Sequence, residues 1–574
     1  MMQAAENNTP TLTADAIADQ ILKARILRKT STGLESPDEM YRRVAHHVAG
    51  AENNYASASE AECVEERFLH LMSTNAFLPN SPTLRNAGTE EGALGACYVL
   101  PVGSQPHQLD DTIALAKDIY HAGAGTGFSF SGIRDPQGQG PYDAVGAVAQ
   151  KIDDAAKEED QASPRPVANM GTLRIDHPEI RSFIAIKQKA GALSHFNLSV
   201  GVTDAFMSAA LAGRKIPLRY DDSDATVGEV SAHRLLDEIA QTAWLTGEPG
   251  MLFLDAIQRA NPLPGLGDIV ATNPCGEVPL YPFEACNLGS INLAACLQDA
   301  GQGQYIIDWN RLAEITADSV RFLDDVIDVT RWVDPRVEEV ALRGRKIGLG
   351  VMGFADMLLR LRVPYSSRMA TTIADEVMSF IREHARAESM KLASERGVFP
   401  AWGMSVFAAD NTPMRHAACT AIAPTGTISR IAGVSPGIEP IGSMASAYPH
   451  FLGHGPITTV NPTLIRLSQD LHFDLDATLH YYAENHSLRQ APSLSEELQH
   501  LLMTATEITP EQHIGIQCAF QKHTDSAVSK TIALNPKTCA RQVEAAFQLA
   551  WRVGLKGITL YRMGSRPDQP IIAA

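Results

Sequence analysis

Cysteine is scarce in this chain: eight in 574 residues, at positions 63, 97, 275, 286, 296, 419, 518 and 539. That is too few for a disulfide-stapled secreted protein. No two of them have CxxC spacing, which argues against structural zinc and thioredoxin-like motifs, and no metal site is expected. Uninterrupted apolar stretches are short, none approaching the roughly 18 residues of a membrane span. The first thirty residues lack the basic start and apolar core of a secretion signal. Polybasic blocks are missing as well. With 48 Lys and Arg against 66 Asp and Glu, the formal charge is −18. Bulk-electrostatic binding of nucleic acid or of an anionic membrane is therefore not expected, whereas a small anionic ligand needs only a local pocket. The compartment reading is cytoplasmic and reducing, so cysteine chemistry must come from residues brought together by the fold.

What is present reads as α/β. Ser36-Pro37-Asp38-Glu39 places a capping serine, a proline at the first helical position and a glutamate at the third. Met40, Val44 and Val48 then recur every fourth residue as an apolar stripe. Residues 1–70 are thus expected as an N-terminal helical region, ahead of a catalytic domain over 71–566 and a short tail over 567–574. From 75 to 135, apolar runs broken by Pro, Gly and Asn have strand-and-loop texture. Residues 135–167 read as a mobile or surface segment, loop-like in DPQGQGPYDAV and charged in DDAAKEEDQASPRP. Between 168 and 440, helical stretches alternate with short apolar runs, an α/β signature. Residues 445–510 are polar and irregular. Thr509-Pro510-Glu511-Gln512 signals a new helix, and GITLY near the end reads as a strand.

Four segments could carry chemistry. In Asn273-Pro274-Cys275-Gly276-Glu277 a cysteine sits on a tight Pro/Gly turn that presents its sulfur at a loop tip; if the loop is extended, Asn273, Cys275 and Glu277 share a face. Taken alone, this is equally a structural turn with a small buried cysteine. Cys97, in the apolar run GACYVLP, is plain core unless the fold brings it to Cys286. The glycine-rich run from Gly123 to Ser131 permits close backbone approach to a phosphate or sugar, though its glycine spacing departs from a dinucleotide fingerprint. Pro424-Thr425-Gly426-Thr427-Ile428 follows the apolar pair Ala421-Ile422 and offers N–H groups and hydroxyls to an anion. It has no Walker lysine, and read alone it is also an ordinary turn.

Taken together, FLPNSPTLRNAG, ACYVLP, GAGTGFSFS, ANMGTLRIDHPEI, NPCGEVPLYPFEACNLGSINLA, RKIGLGVMGFADML, APTGTIS, GIEP and AFQKHTDSAVSKTI…KGITLYR, in that order, resemble the catalytic chain of ribonucleotide reductases. The likeness is greatest to the class II, adenosylcobalamin-dependent type. It implies a ten-stranded α/β barrel with a central finger loop. It implies that Cys275 becomes a thiyl radical, that Glu277 is general base on the 3′-hydroxyl with Asn273 beside it, and that Cys97 and Cys286 supply two electrons and end as a disulfide. Ser81, Ala96, Cys97, Gly125, Asn273, Pro274, Cys275, Gly276, Glu277, Pro424, Thr425, Gly426, Thr427 and Ile428 match family substrate-binding positions. The implied substrate is a ribonucleoside diphosphate, the reductant thioredoxin or glutaredoxin, and the assembly a homodimer.

Departures from the family pattern carry their own expectations. Class I chains have a Tyr-Tyr pair where this one has Tyr561-Arg562, so direct use of the cobalamin cofactor is preferred to a separate radical subunit. The specificity loop before ANMG normally holds a double glycine and a double arginine. Here residues 161–168 keep only Arg165, flanked by Pro164 and Pro166, and effector control through this loop is in question. Residues 144–148 replace a Ser-Gly-Pro-Val segment. No cysteine-bearing tail precedes Ala574, so an external thiol is expected to reach the disulfide directly, or a partner chain to help. The competing reading is a degenerate paralogue that binds nucleotide or a partner reductase without turnover.

Overall fold

The computed structural model describes residues 11–31, 33–103, 105–134, 144–163, 165–220, 225–301, 303–448, 452, 457–565 and 572–573. Nine strands build the main body: β1 (Cys97–Leu100), β2 (Gly125–Ser129), β3 (Asn169–Arg174), β4 (Phe196–Val202), β5 (Gly250–Phe253), β6 (Ala285–Asn292), β7 (Ile347–Met352), β8 (Thr531–Leu534) and β9 (Gly557–Arg562). β1 to β5 run parallel in order. β6 and β7 are parallel to each other, as are β8 and β9. The two halves meet antiparallel at two seams, β1 against β6 and β5 against β9. With Phe77–Pro79, which pairs with β6, these strands form a ten-stranded sheet. Parallel bridges from Leu349 to Thr420 and from Ile422 to Val528 carry residues 420–422 across the gap between β7 and β8, closing the nine numbered strands and this segment into a ring of ten, with Phe77–Pro79 off the ring.

Each half-barrel has its own apolar jacket of helices, and a third, small cluster lies inside the ring. The inner cluster is built of small residues, among them Ala96, Cys97, Val99, Ala421 and Ala423, together with Ala271, Val278 and Leu280 from a hairpin threaded through the centre.

The N-terminal helices form as their caps dictate. Ser36 and Ser57 each close a capping box, on Pro37–Ala49 and Ala58–Ser73. Met40, Val44 and Val48 are fully buried. Phe68 and Phe77 pack edge-on against Phe322 of the long helix Trp309–Val329, with centroids 4.9 and 5.4 Å apart. The Thr509 capping box and the terminal strand β9 also form.

Three expectations give way. Residues 144–160, expected as a surface or mobile segment, are helix Ala144–Asp160, with Val145, Ala149, Ile152 and Ala156 buried; its apolar stripe outweighs the local charge. Residues 106–121, expected within strand-and-loop texture, are helix Pro106–His121. The stretch expected to be irregular contains strands Ala445–Tyr448 and Ile457–Val460 and helices Pro462–Leu471 and Leu475–Asn485, each helix with a side-chain cap. Residues 135–143, Pro164 and most of the tail lie outside the described residues.

A buried ionic cluster ties the N-terminal region to the barrel. Arg396, with no side-chain exposure, binds Glu52 at 2.6 Å, Asp324 at 2.8 Å and Asp325 at 2.5 Å. Asp324 also meets Arg345 at 2.6 Å and His416 at 3.0 Å. Burial pushes the Asp324 carboxyl up, but the His416 hydrogen bond and the Arg345 charge hold it well below the ordinary range. Removing one member of such a cluster strands the others without solvent. Arg396→Met is expected to lower stability by about 3–5 kcal/mol, measured by urea unfolding.

Candidate active site

The threaded hairpin is a finger. Residues 271–272 pair with 279–280, and the tip between them carries Asn273, Pro274, Cys275, Gly276 and Glu277. The turn is held by the Asn273 side chain, whose Oδ1 accepts the Val278 N–H at 3.0 Å, and by the Gly276 N–H donating to the Asn273 carbonyl at 3.1 Å. Gly276 sits at φ +82°, where a side chain would be strained. Two outside grips fix the tip. Asn197 on β4 donates to the Pro274 carbonyl at 3.0 Å, and the Ala527 N–H donates to the Glu277 carbonyl at 2.8 Å.

Glycine on β2 makes room for this finger. A Cβ on Gly127 would lie 1.8 Å from the Thr272 carbonyl oxygen. The run read as a phosphate-type loop is therefore largely strand, and Gly127 admits a neighbouring backbone.

The finger tip faces a cavity of about 260 Å³. Ser81, Ala96, Cys97, Gly125, Asn273, Pro274, Cys275, Glu277, Pro424, Thr425, Gly426, Thr427 and Ile428 all line it. Gly276 does not; it shapes the turn. Cys286 is buried behind Cys97, its direct cross-strand partner in the β1–β6 seam. Antiparallel partners have Cα atoms about 4.5–5.5 Å apart, within the range a disulfide spans. The Asn273 side-chain amide donates to Cys97 Sγ at 3.1 Å, linking finger to pair.

Sequence reasoning missed several wall residues. Asn80 lay within a quoted motif but was not singled out; it caps helix Ser81–Asn86 and thereby sets Ser81 in the wall. Ser290 lay within the NPCGE…SINLA motif and was likewise passed over. Arg165 was read only as the survivor of a specificity loop. It too lines the cavity, donating to the Gly123 carbonyl at 3.4 Å.

Burial dominates the electrostatics. Cys275 has its surface on the cavity, yet protein encloses it deep in the ring. Burial, then the nearby Glu277, pushes its thiol up to about 12, against the pull of Arg165. Burial likewise holds Cys97 and Cys286 well above the ordinary thiol range. All three are protonated at neutral pH. Burial raises Glu277 to about 7, opposed by Asn273 and Arg165, and its Oε2 is buried with no hydrogen-bond partner among the described residues. A carboxyl at that value can take or give a proton near neutrality.

Comparisons with known proteins follow the same outline. The family described as ribonucleotide reductase, barrel domain, matches residues 95–413 and 408–561, and ribonucleotide reductase, all-alpha domain, matches 13–92. The vitamin B12-dependent ribonucleoside-diphosphate reductase of Mycobacterium tuberculosis (strain CDC 1551 / Oshkosh) is 42% identical over 96% of this chain and 80% of its own. The protein of that name from Thermoplasma acidophilum is 38% identical over 98% and 80%. Among solved structures, the class Id ribonucleotide reductase alpha subunit of Actinobacillus ureae superposes with a TM-score of 0.77 over 95% of this chain and 96% of that one, at 23% identity, a likeness of fold.

Gly127→Ala is expected to destabilise the chain by about 1–3 kcal/mol through overpacking, read by denaturant unfolding, and to change the alkylation rate of Cys275. Wild-type stability and thiol reactivity together would contradict the tight seating of the finger.

Proposed function

The chain belongs to the ribonucleotide reductase family, and on that premise we propose that it is a class II enzyme, which reduces ribonucleoside diphosphates to 2′-deoxyribonucleoside diphosphates with adenosylcobalamin as radical source. One observation carries the reading: two thiols are paired across the β1–β6 seam, and one of them is hydrogen-bonded to the finger that holds a third.

Cys275 at the finger tip would act as a thiyl radical. Its S–H bond is close in strength to an activated ribose C–H bond, so the 3′-hydrogen can move to sulfur and back. Glu277 would take the 3′-hydroxyl proton while the 2′-hydroxyl leaves as water. Cys97 and Cys286 would give up two electrons and two protons and close to a disulfide, with Asn273 orienting Cys97. The turn from Pro424 to Ile428 and the wall at Ser81, Ala96 and Gly125 would hold the nucleotide, the turn through N–H donors. Protonated, buried thiols support this chemistry, because hydrogen-atom transfer needs S–H rather than thiolate. An external dithiol such as thioredoxin or glutaredoxin would reopen the disulfide, and the working assembly is read as a cytoplasmic homodimer. No helix among the described residues is long and apolar enough to cross a membrane.

A second cavity is the place we assign to the corrin. It measures about 570 Å³, shares Gly426 with the thiol cavity and is walled by Ile441, Met444, Tyr448, Val460, Tyr561 and Met563 among others. A Cβ on Gly426 would meet nothing within 4 Å, so the shared wall is open. These largely apolar residues would hold a corrin. When bound, adenosylcobalamin supplies the one-electron oxidant that the Cys275 thiol needs. The neighbouring strand favours this source over a radical subunit. Arg562 does not complete a tyrosine pair: it stacks on Trp244 at 4.4 Å and donates to the Trp244 carbonyl at 3.1 Å.

Deoxynucleotide is expected from purified protein given a ribonucleoside diphosphate, dithiothreitol and adenosylcobalamin. Nucleotide binding without product would favour the degenerate paralogue, and product only with an added metal-radical subunit would overturn the class. Cys275→Ser is expected to abolish turnover while keeping substrate affinity within about threefold; residual activity would contradict the assigned role. Because Glu277 must be ionised to act as base, kcat/KM is expected to fall about tenfold per unit below pH 7. Glu277→Gln should remove that limb and lower kcat by about 10²–10⁴-fold, as read in a pH–rate profile.

A further inference from the structure

At the end of the barrel away from the thiol cavity lies a larger one, of about 780 Å³. Its place follows from the strands. Ala417 and Ala418, just before residues 420–422, line this cavity, while Pro424, just after them, lines the thiol cavity. Lys556, just before β9, is on its floor. No residue lines both cavities.

The helix Arg368–Arg396 contributes Arg382, Arg386 and Met390 to one wall. At i, i+4 and i+8 they lie in a row on one face, two guanidinium groups followed by an apolar side chain. Val406, Phe407 and Met414 also line the cavity. Guanidinium and apolar groups therefore adjoin in this cavity, Arg386 lying 5.8 Å from the centroid of the Phe407 ring, in a protein of formal charge −18.

The cationic groups are held in place. Asp525 on the floor accepts the Cys419 N–H at 3.0 Å and Arg386 Nη2 at 2.7 Å, with Arg382 at 3.7 Å. Lys556 is capped by the carbonyl oxygens of Asp525 and Ser526. What remains unmet is Arg386 Nε, a buried donor with no acceptor among the described residues. A buried donor left unpaired costs about 1–3 kcal/mol and calls for an absent partner. Five cationic side chains line the cavity, Arg259, Arg382, Arg386, Lys522 and Lys556, with two carboxylates, Asp410 and Asp525; Arg259 and Lys522 also pair with Asp204 and Asp375.

We propose that this cavity is a second binding site, distinct from the catalytic one, for a small amphipathic anion: a phosphate head on Arg382 and Arg386, with an aromatic or apolar body against Met390, Val406 and Phe407. The planar guanidinium fork suits an oxyanion, and the volume lies within the range of small-molecule sites.

Cys518, which lines the cavity and is partly exposed, reports on occupancy without interference from the catalytic end. Its alkylation by N-ethylmaleimide is followed in the full chain by peptide mass spectrometry, with phenyl phosphate as the probe. Protection should scale as 1 + [L]/Kd, so alkylation slows roughly tenfold at about ten times Kd. Inorganic phosphate, lacking the body, should protect more weakly, and Arg386→Gln should weaken protection about tenfold. Should Arg386→Gln fail to fold, Met390→Glu, at an exposed position, sets a carboxylate against the ligand and should weaken protection in the same way. An unchanged Cys518 rate at millimolar phenyl phosphate, or equal protection in Met390→Glu, would overturn the proposal.

Discussion

A hairpin can pass through a ring of ten strands only if the ring's inward side chains are small enough to leave it a channel. That steric condition governs the rest of this structure. Inside, the barrel has mostly alanines and cysteines, with Val99 and Leu288, where a smaller barrel would be filled by bulky side chains, and β2 has glycine where the finger's backbone comes nearest. The bulky apolar residues are displaced outward into the two helical jackets, and the hairpin becomes the core. A tip held this way, by Asn197 from one side and Ala527 from the other, is fixed by packing rather than by the conformational preference of a loop.

Enclosure also decides the chemistry at the tip. Two thiols and a carboxyl line one cavity inside the ring, with the third thiol, Cys286, buried behind Cys97. Burial disfavours every charged form, so the thiols keep their protons and Glu277 rises toward neutrality. Ionic chemistry of the thiolate kind is suppressed, and hydrogen-atom chemistry is left available. Arg165, the cation lining the cavity, partly offsets this for each group it faces.

The two ends of the barrel contrast in kind. The catalytic end is walled by small residues and backbone. The opposite end is lined by longer side chains, with Arg382 and Arg386 anchored to Asp525. No residue lines both, so the two ends offer separate chemistry.

Local signals in the sequence were enough for the capped helices at Ser36 and Thr509, for the strand at Cys97 and for the turn at Cys275, because each depends on residues a few positions apart. The ordered motifs also brought nearly every wall residue of the thiol cavity within reach. Helix Ala144–Asp160 was obscured because its charged face masked a stripe that only packing makes decisive. The pairing of Cys97 with Cys286 depends on strands 189 residues apart in the chain meeting at a seam, a register that no short-range pattern specifies. The sequence by itself determined which chemical groups were present and how each turn was made. Which of them share one enclosed space, and so which pKa values and reactivities they acquire, was decided by the closure of the barrel around its finger, because burial and contact are properties of the assembled fold.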